Sequence, residues 1–486
     1  MDSRKVNLVK TATLLAVGNM SSRLLSFILL PVFAFYLKPS DYGEIDIYIT
    51  VLTILCIVVS LQSIEASFRF IQDCSTDQER TITLSNALAI SIAGIGIFSI
   101  GMLIAGYAVN FKYSAVFSLY VATSIIANLF LHSARGMKKM LAYTVISIAS
   151  TIMQVLCNII FIVGTGMGAV ALLWTPIISN ALVAAILVLK VNIPRYCKPS
   201  AVRIRHIKEQ LRYSLPLIPN SICVWLLSAL GRFILLLYYG TSEVGLLVFT
   251  LKFPLLLETV NNIFMMAWQM SAISEYKASD RDVFASEVFH QFSRLLLSAM
   301  LVILPLVKVA IFTIMGKDYA GTWVFIPVFF FGVVFNSYAQ FYCMGFFSVK
   351  KTNEVFYSAF VSLAVYAAVG FLSAKPLYIF GVGMAYSAAG LINWLFVKKR
   401  VEAYMKIRIN VRQQVLFLAL IGGFTAVYYT AGLWVQAGMA LAGICIAIFK
   451  NRVLIRRLLT PLGDGLIKAT RRMRSACFDS KTTGVG

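Results

Sequence analysis

Three positively charged residues, Arg23, Arg232 and Lys252, lie inside long apolar stretches of this sequence. A charge in the middle of a membrane-spanning helix costs at least roughly 2.5 kcal/mol unless it faces water or a partner. Guanidinium and ammonium groups bind anions, and the planar guanidinium fits phosphate oxygens. We therefore predict that these three cations bind an anionic group. For each of them, a structural ion pair or a snorkelling side chain is the other interpretation, and for Lys308 we expect snorkelling.

Two carboxylates in the same stretches are candidates for binding H+ or Na+. Glu258 has no lysine or arginine three or four residues away, and Asp46 is the second candidate. Glu65 and Arg69 are four residues apart, which places them on one face of a helix. This spacing predicts a structural ion pair within that helix.

The cysteines and histidines indicate neither a metal site nor an enzyme. The 8 cysteines are scattered without metal-ligand spacing, and the 3 histidines have no partner at catalytic spacing. No paired carboxylates or nucleophile constellation are evident either. We therefore predict no catalytic residues, no metal and no cofactor beyond H+ or Na+ as coupling ions.

The composition is that of a membrane protein. Of 486 residues, 59% are hydrophobic and 13% are charged, whereas soluble domains have about a quarter of their residues charged. The net charge of +23 would suggest nucleic-acid binding in a soluble protein. Here the basic segments lack interleaved aromatic residues for base stacking, so we assign them to membrane topology and contact with lipid headgroups, and expect no nucleic acid as a partner.

Apolar runs of about twenty residues predict an all-α polytopic membrane protein with about 14 transmembrane helices. The predicted spans are 11–36, 43–71, 83–108, 115–133, 142–163, 168–189, 213–239, 244–272, 292–315, 322–346, 355–373, 377–397, 413–430 and 432–449. The first stretch is too long for a cleavable signal peptide. Most lysines and arginines fall on the side of the N-terminus, which predicts that both termini are cytoplasmic.

Two turns separated by a constant offset of 202 residues indicate an internal repeat. The matched pairs are Tyr36/Tyr238, Ser40/Ser242, Asp41/Glu243 and Gly43/Gly245. Parallel repeats of this kind place two lobes around an axis along the membrane normal, although two ordinary turns would explain the matches as well. The predicted parts are an N-terminal lobe of six helices (1–190), a basic cytoplasmic linker (191–212), a pseudo-symmetric C-terminal lobe of six helices (213–397), a second cytoplasmic linker (398–412), two further helices (413–449) and a basic cytoplasmic tail (450–486).

Several short motifs resemble those of polysaccharide transporters of the multidrug/oligosaccharidyl-lipid/polysaccharide exporter (MOP) superfamily, and more narrowly O-antigen and capsule repeat-unit flippases. These motifs are LPVFAFYLKPSDYG at 30–43, SFRF at 67–70, SLPLIPN at 214–220, GRF at 231–233 and AWQ at 267–269. Such proteins often carry an acidic residue before the arginine of the seventh helix, where this chain has Gly231. An acid–arginine pair at that point therefore cannot be assumed.

The resemblance implies a V-shaped bundle that alternates between inward-open and outward-open states. It also implies a cargo: a short glycan on a polyprenyl pyrophosphate, moved from the cytoplasmic to the periplasmic leaflet of the bacterial inner membrane. Arg23, Arg232 and Lys252 would then bind the diphosphate or the glycan. Partners would be membrane lipids and other polysaccharide-assembly proteins.

Two other functions fit a polytopic chain of this kind. An ion-coupled multidrug exporter of the same superfamily would share the fold, but its cleft should be acidic to favour organic cations. A membrane-embedded O-antigen polymerase or ligase would need a sizeable outer loop with catalytic residues, and the predicted outer loops are short.

Overall fold

A computed structural model describes residues 27–190, 192–349 and 351–452, and these ranges contain helices and turns but no strands. In the first half the helices are α1 (Leu29–Tyr36), α2 (Pro39–Val59), α3 (Ser63–Asp73), α4 (Asp77–Ala108), α5 (Ser114–Gly136), α6 (Met140–Ile159, followed by a π turn at Ile160–Gly164) and α7 (Ala171–Leu189). The connection onward has two 3₁₀ turns, Ile193–Tyr196 and Pro199–Ala201, and the short helix α8 (Ile204–Ser214).

In the second half the helices are α9 (Leu217–Tyr238), α10 (Thr241–Leu251), α11 (Pro254–Ser274), α12 (Arg281–Ile314), α13 (Ile326–Ser348), α14 (Thr352–Val401), α15 (Val411–Thr430) and α16 (Leu433–Arg452). A 3₁₀ segment, Lys317–Phe325, precedes α13. Across the described ranges, 11 helices are long and apolar enough to cross a bilayer. The all-α, multi-pass class is confirmed, and the count of 14 stays a prediction.

Two predicted spans are broken in the structure. The predicted helix 43–71 is interrupted between α2 and α3, where Leu61 and Gln62 adopt left-handed conformations with φ of 47° and 56°. No proline or glycine marks this break, and the Gln62 side chain donates a hydrogen bond to Ser221 Oγ at 2.7 Å. The predicted helix 244–272 is interrupted before Pro254, which has no N–H to continue the helical hydrogen bonds.

The longest helix, α14, contains the two predicted spans 355–373 and 377–397. A straight helix of its 50 residues would be about 75 Å long, more than twice the roughly 30 Å of hydrocarbon. Tyr378 breaks it with φ 61° and ψ −140°, two residues after Pro376. The Tyr239 hydroxyl donates a hydrogen bond to the Lys375 carbonyl at 2.6 Å, which holds this bend against the end of α9.

The two turns of the internal repeat pack against each other. A Cβ atom on Gly43 would overlap the carbonyl oxygen of Thr241, and one on Gly245 would overlap the carbonyl oxygen of Pro39. Thr241 is the counterpart of Pro39 at the same offset of 202 residues. This reciprocal contact is what a two-fold axis between the two lobes requires, because each partner then presents the same surface to the other.

The described residues form two compact units. One contains the chain up to Ser274 together with Ala310–Tyr404, and the other contains Glu275–Val309 together with the chain from Met405. In the second unit Lys308 is buried, and its ammonium donates hydrogen bonds to the carbonyls of Tyr428 and, at 3.1 Å, Ala431. The expectation that Lys308 snorkels is therefore wrong: it caps the carboxyl end of α15, where free carbonyls favour a cation.

A charged pocket among the membrane helices

A pocket of about 250 Å³ lies among α9, α10, α11, α13 and α14. Apart from apolar side chains, it is lined by Ser228, Arg232, Lys252, Glu258, Tyr366 and Tyr386. Three of the residues that sequence analysis selected therefore meet at one place. All described lining residues lie between 227 and 386, so the pocket is within the second predicted lobe. Arg23 lies outside the described residues.

Arg232 forms an ion pair with Asp46 from the other lobe. Its Nε donates to Asp46 Oδ2 at 2.7 Å, and its Nη1 donates to the Ser228 carbonyl at 2.5 Å. The side chains of Arg232 and Asp46 are only 19% and 17% exposed. Sequence analysis had treated Arg232 as an anion ligand and Asp46 as an ion-coupling candidate. The structure adds that each neutralises the other, and both predicted roles stay predictions.

The glycine before this arginine leaves no room for a side chain. A Cβ atom on Gly231 would lie 2.5 Å from the Tyr366 hydroxyl oxygen and 2.7 Å from Val382 Cγ1. An acidic residue at position 231 would therefore collide with α14. The carboxylate that pairs with Arg232 belongs instead to Asp46 of α2, a residue outside the sequence motifs.

Lys252 lies at the interruption between α10 and α11. Its backbone N–H bonds to the Phe249 carbonyl at 3.1 Å, a tightened turn directly before Pro254. Its ammonium is close enough to Asp46 and Arg232 to interact with both charges. Among the described residues, no oxygen accepts a hydrogen bond from this ammonium. A cation in this position needs water or an anion as its partner, because an unsatisfied charge in an apolar bundle is costly.

Glu258 lies on α11, one turn after Pro254, and lines the same pocket. Its carboxylate is close enough to the Tyr386 hydroxyl to interact with it. Arg232, Lys252, Glu258 and the adjacent Asp46 together carry no formal net charge. The described part of the site is thus balanced rather than strongly cationic, and Glu258 as an ion-coupling residue stays a prediction.

The predicted ion pair between Glu65 and Arg69 is wrong. Arg69 Nη1 contacts Asp73 Oδ2 at 2.6 Å, one turn further along α3, while Glu65 lies 3.9 Å from His132 Nδ1 of α5. Both carboxylates are four residues from Arg69, so spacing alone could not choose between them. The contact with the neighbouring helix α5 distinguishes the two carboxylates, because Glu65 lies close to the imidazole of His132.

Helix α2 and the turn that follows it contact the second predicted lobe at several levels. From one end to the other, the contacts are Gly43 with Thr241, Asp46 with Arg232, the Thr50 carbonyl with Trp225 Nε1 at 3.0 Å, and Gln62 with Ser221. The ion pair is therefore part of a continuous line of contacts between the lobes. No periodicity in the sequence identifies this line, because its members are isolated polar residues on otherwise apolar helices.

Residues 8–269 match a family described as polysaccharide biosynthesis protein. The chain belongs to this family. No curated protein sequence matches it. The match covers more than half of the 486 residues and includes α2, Arg232 and Lys252.

Several solved structures share the fold. The lipid II flippase MurJ in an inward-closed conformation has a TM-score of 0.69 at 14% identity, covering 91% of this chain and 99% of that one. An inward-facing MATE multidrug transporter of the MOP superfamily has a TM-score of 0.63 at 14% identity, covering 79% and 95%. A Vibrio cholerae MATE transporter has a TM-score of 0.57 at 12% identity, covering 83% and 99%. The predicted superfamily resemblance is confirmed.

Proposed function

We propose that this protein is a flippase for a polyprenyl-pyrophosphate-linked oligosaccharide, such as an O-antigen or similar polysaccharide repeat unit. It moves this cargo from the cytoplasmic to the periplasmic leaflet of the bacterial inner membrane by alternating access. The observation that carries the proposal is the ammonium of Lys252, which enters a pocket inside a membrane bundle without a hydrogen-bond partner among the described residues. The polysaccharide family and the fold shared with a lipid II flippase support the choice of cargo.

A polar pocket solves the main physical problem of this reaction. A glycan diphosphate must cross about 30 Å of hydrocarbon, where each unsatisfied polar group costs several kcal/mol. The pocket of about 250 Å³ is slightly below the usual range of ligand sites, roughly 300–1,000 Å³. It therefore suits a diphosphate or a single sugar ring. The remaining sugars and the lipid tail would lie outside it.

The ion pair suggests how binding is coupled to movement. A diphosphate held by Lys252 would compete with Asp46 for the guanidinium of Arg232. Loss of the Arg232–Asp46 pair would remove one of the contacts that join α2 to α9. Binding would thus weaken the contact between the lobes on that side, as alternating access requires. Arg23 is proposed to contribute a further cation.

Recovery of the starting state requires an energy source, for which we propose H+ or Na+ binding at Glu258 or Asp46. Binding of a cation to Glu258 would leave the pocket with an excess of positive charge and favour the anionic cargo. Ion gradients applied to vesicles of wild type and of Glu258→Gln test this step. Equal rates for both proteins under every gradient would rule out Glu258.

The experiment uses proteoliposomes that contain a short-chain polyprenyl-diphosphate oligosaccharide. A glycosidase added outside digests only the outward-facing lipid, so a flippase makes the protected half digestible over time. We expect Lys252→Met to slow the digestion of the protected half at least tenfold and Lys252→Arg to retain the wild-type rate. Lys399 is an exposed cation outside the pocket, so Lys399→Met should match wild type. A wild-type rate for Lys252→Met would contradict the proposal.

The same vesicles distinguish the competing functions. Glu258 and two tyrosines in the pocket also suit an organic cation, which is the specific observation in favour of multidrug export. Uptake of organic cations without movement of the lipid-linked glycan would establish that function. Formation of new glycosidic bonds would instead identify a polymerase or ligase.

The orientation and the surroundings belong to the same proposal. We propose that both termini lie in the cytoplasm, which the distribution of lysine and arginine supports, and that other polysaccharide-assembly proteins are neighbours. Fusions of alkaline phosphatase after Lys112 and after Lys190 test the orientation, because the enzyme is active only in the periplasm. Activity should follow Lys112 alone.

A further inference from the structure

A second pocket lies where the connection between α7 and α8 folds back onto α4. Two buried polar residues of α4 hold this connection in place. Ser85 Oγ accepts a hydrogen bond from the Lys198 backbone N–H at 2.9 Å, and Asn86 Oδ1 accepts one from the Arg203 backbone N–H at 2.8 Å. Ser85 and Asn86 are 3% and 0% exposed. The connection is therefore a defined platform rather than a loose linker.

The platform presents three cations around an open pocket of about 470 Å³. Arg195, Lys198 and Arg203 line the pocket with exposed side chains, for which the described residues supply no carboxylate or hydrogen-bond acceptor. The one acidic residue in the lining, Asp77, already pairs with Arg80 at 2.9 Å. The pocket thus carries an uncompensated positive charge, on a connection that α4 anchors through two hydrogen bonds to its backbone.

The position of the pocket points to the membrane interface. The 32 residues of α4 are about 48 Å long, which exceeds the hydrocarbon thickness by about 18 Å. Asp77, Arg80 and the platform lie at its amino end. The two sequence neighbours of Arg203 are apolar and exposed: Val202 is 39% exposed and Ile204 is 70% exposed. Exposed apolar residues next to cations are typical of segments that lie in the headgroup region.

We propose that this pocket binds the phosphate group of an anionic phospholipid. Arg195, Lys198 and Arg203 would hold the phosphate, while Val202 and Ile204 contact the adjoining acyl chains. The site shares no lining residue with the pocket around Lys252 and Glu258, so this proposal does not depend on the proposed cargo. A free phosphate compound could satisfy the same three cations, and the experiment below separates these two sources.

Thermal unfolding of the purified full-length protein in detergent tests the proposal. The probes are short-chain phosphatidylglycerol, short-chain phosphatidylcholine as the neutral lipid, and inorganic pyrophosphate as the soluble anion. The pocket variant carries Arg195→Gln, Lys198→Gln and Arg203→Gln. The control variant loses the same charge at Lys208, Arg212 and Lys399, three exposed cations outside the pocket.

We expect phosphatidylglycerol, but not phosphatidylcholine, to raise the melting temperature of wild type and of the control variant. Near a membrane surface each cation contributes about fivefold to binding, so the triple variant should bind on the order of 100-fold more weakly. If the triple variant does not fold, Lys198→Gln alone replaces it in the experiment, and this single substitution should weaken binding about fivefold. Binding of pyrophosphate in place of the lipid would assign the phosphate site to a soluble source and overturn the lipid assignment. Equal binding by pocket and control variants would overturn the site itself.

Discussion

The ion pair between Arg232 and Asp46 provides the sharpest test of the structure. Removing one partner of a buried pair costs about 3–5 kcal/mol, because the remaining charge stays buried without compensation. Both side chains are less than a fifth exposed, so we take the lower end and expect Arg232→Met and Asp46→Asn each to lower the free energy of unfolding by about 3 kcal/mol. The double variant removes both charges. The double variant should cost about 2 kcal/mol less than the sum of the two single effects, and this difference is the coupling energy.

Denaturant unfolding of the four proteins in the same detergent measures this cycle. The pair Glu354–Arg400 is a matched control, since its N–O distance is also 2.7 Å but the side chain of Arg400 is 47% exposed. Its coupling energy should be below about 1 kcal/mol, as is usual for pairs in contact with solvent. Additive effects of Arg232→Met and Asp46→Asn would refute the argument, because they would show that the two charges do not interact in the folded protein.

Three further substitutions test other parts of the structure. Gly43→Ala should lower the melting temperature and the transport rate, because its Cβ would overlap the Thr241 carbonyl, whereas Gly96→Ala has open space and should be tolerated. Lys308→Met should lower the free energy of unfolding by about 1–3 kcal/mol, since carbonyls at the end of α15 lose their hydrogen-bond donor. Denaturant titration measures this free energy, and a change below about 0.5 kcal/mol would contradict the capping role. Glu258→Gln should make the rate of lipid transport in vesicles independent of the coupling-ion gradient, and an unchanged dependence would exclude it as the coupling residue.

The membrane-spanning helices could be predicted because a strong physical constraint acts on each of them locally. A bilayer requires about twenty apolar residues per span, so hydrophobic runs mark the helices directly. The two matched turns carry Gly43 and Gly245, where close backbone contact excludes any side chain, and the repeat itself stays a prediction. The left-handed turn at Leu61 and Gln62 left no such mark. Neither residue is a usual turn former, and the contact across to the second half of the chain at this break is the hydrogen bond from Gln62 to Ser221.

Charged residues in the spans were found correctly as unusual positions, but their partners were not predictable. Intrahelical spacing offered Arg69 two equivalent carboxylates, and the choice between them depends on a neighbouring helix. Arg232 and Asp46 are 186 positions apart, and no local pattern links them. One signal was available: Arg232 is the one charged residue of an otherwise apolar helix, and such a charge is least costly when a carboxylate neutralises it.

This pairing changes how the pocket can recognise an anion. If the three selected cations all faced the cargo freely, a diphosphate would bind by simple charge attraction, and every cationic substitution would weaken binding alike. Because Arg232 is paired with Asp46, the proposed mechanism has the cargo bind Lys252 first and reach Arg232 only when Asp46 is displaced or binds a cation. Asp46→Asn should then strengthen binding of the diphosphate while it slows transport, because Arg232 is released permanently and the contact between α2 and α9 no longer depends on the cargo. A parallel loss of both binding and transport in Asp46→Asn would show instead that the carboxylate serves only to hold the helices together.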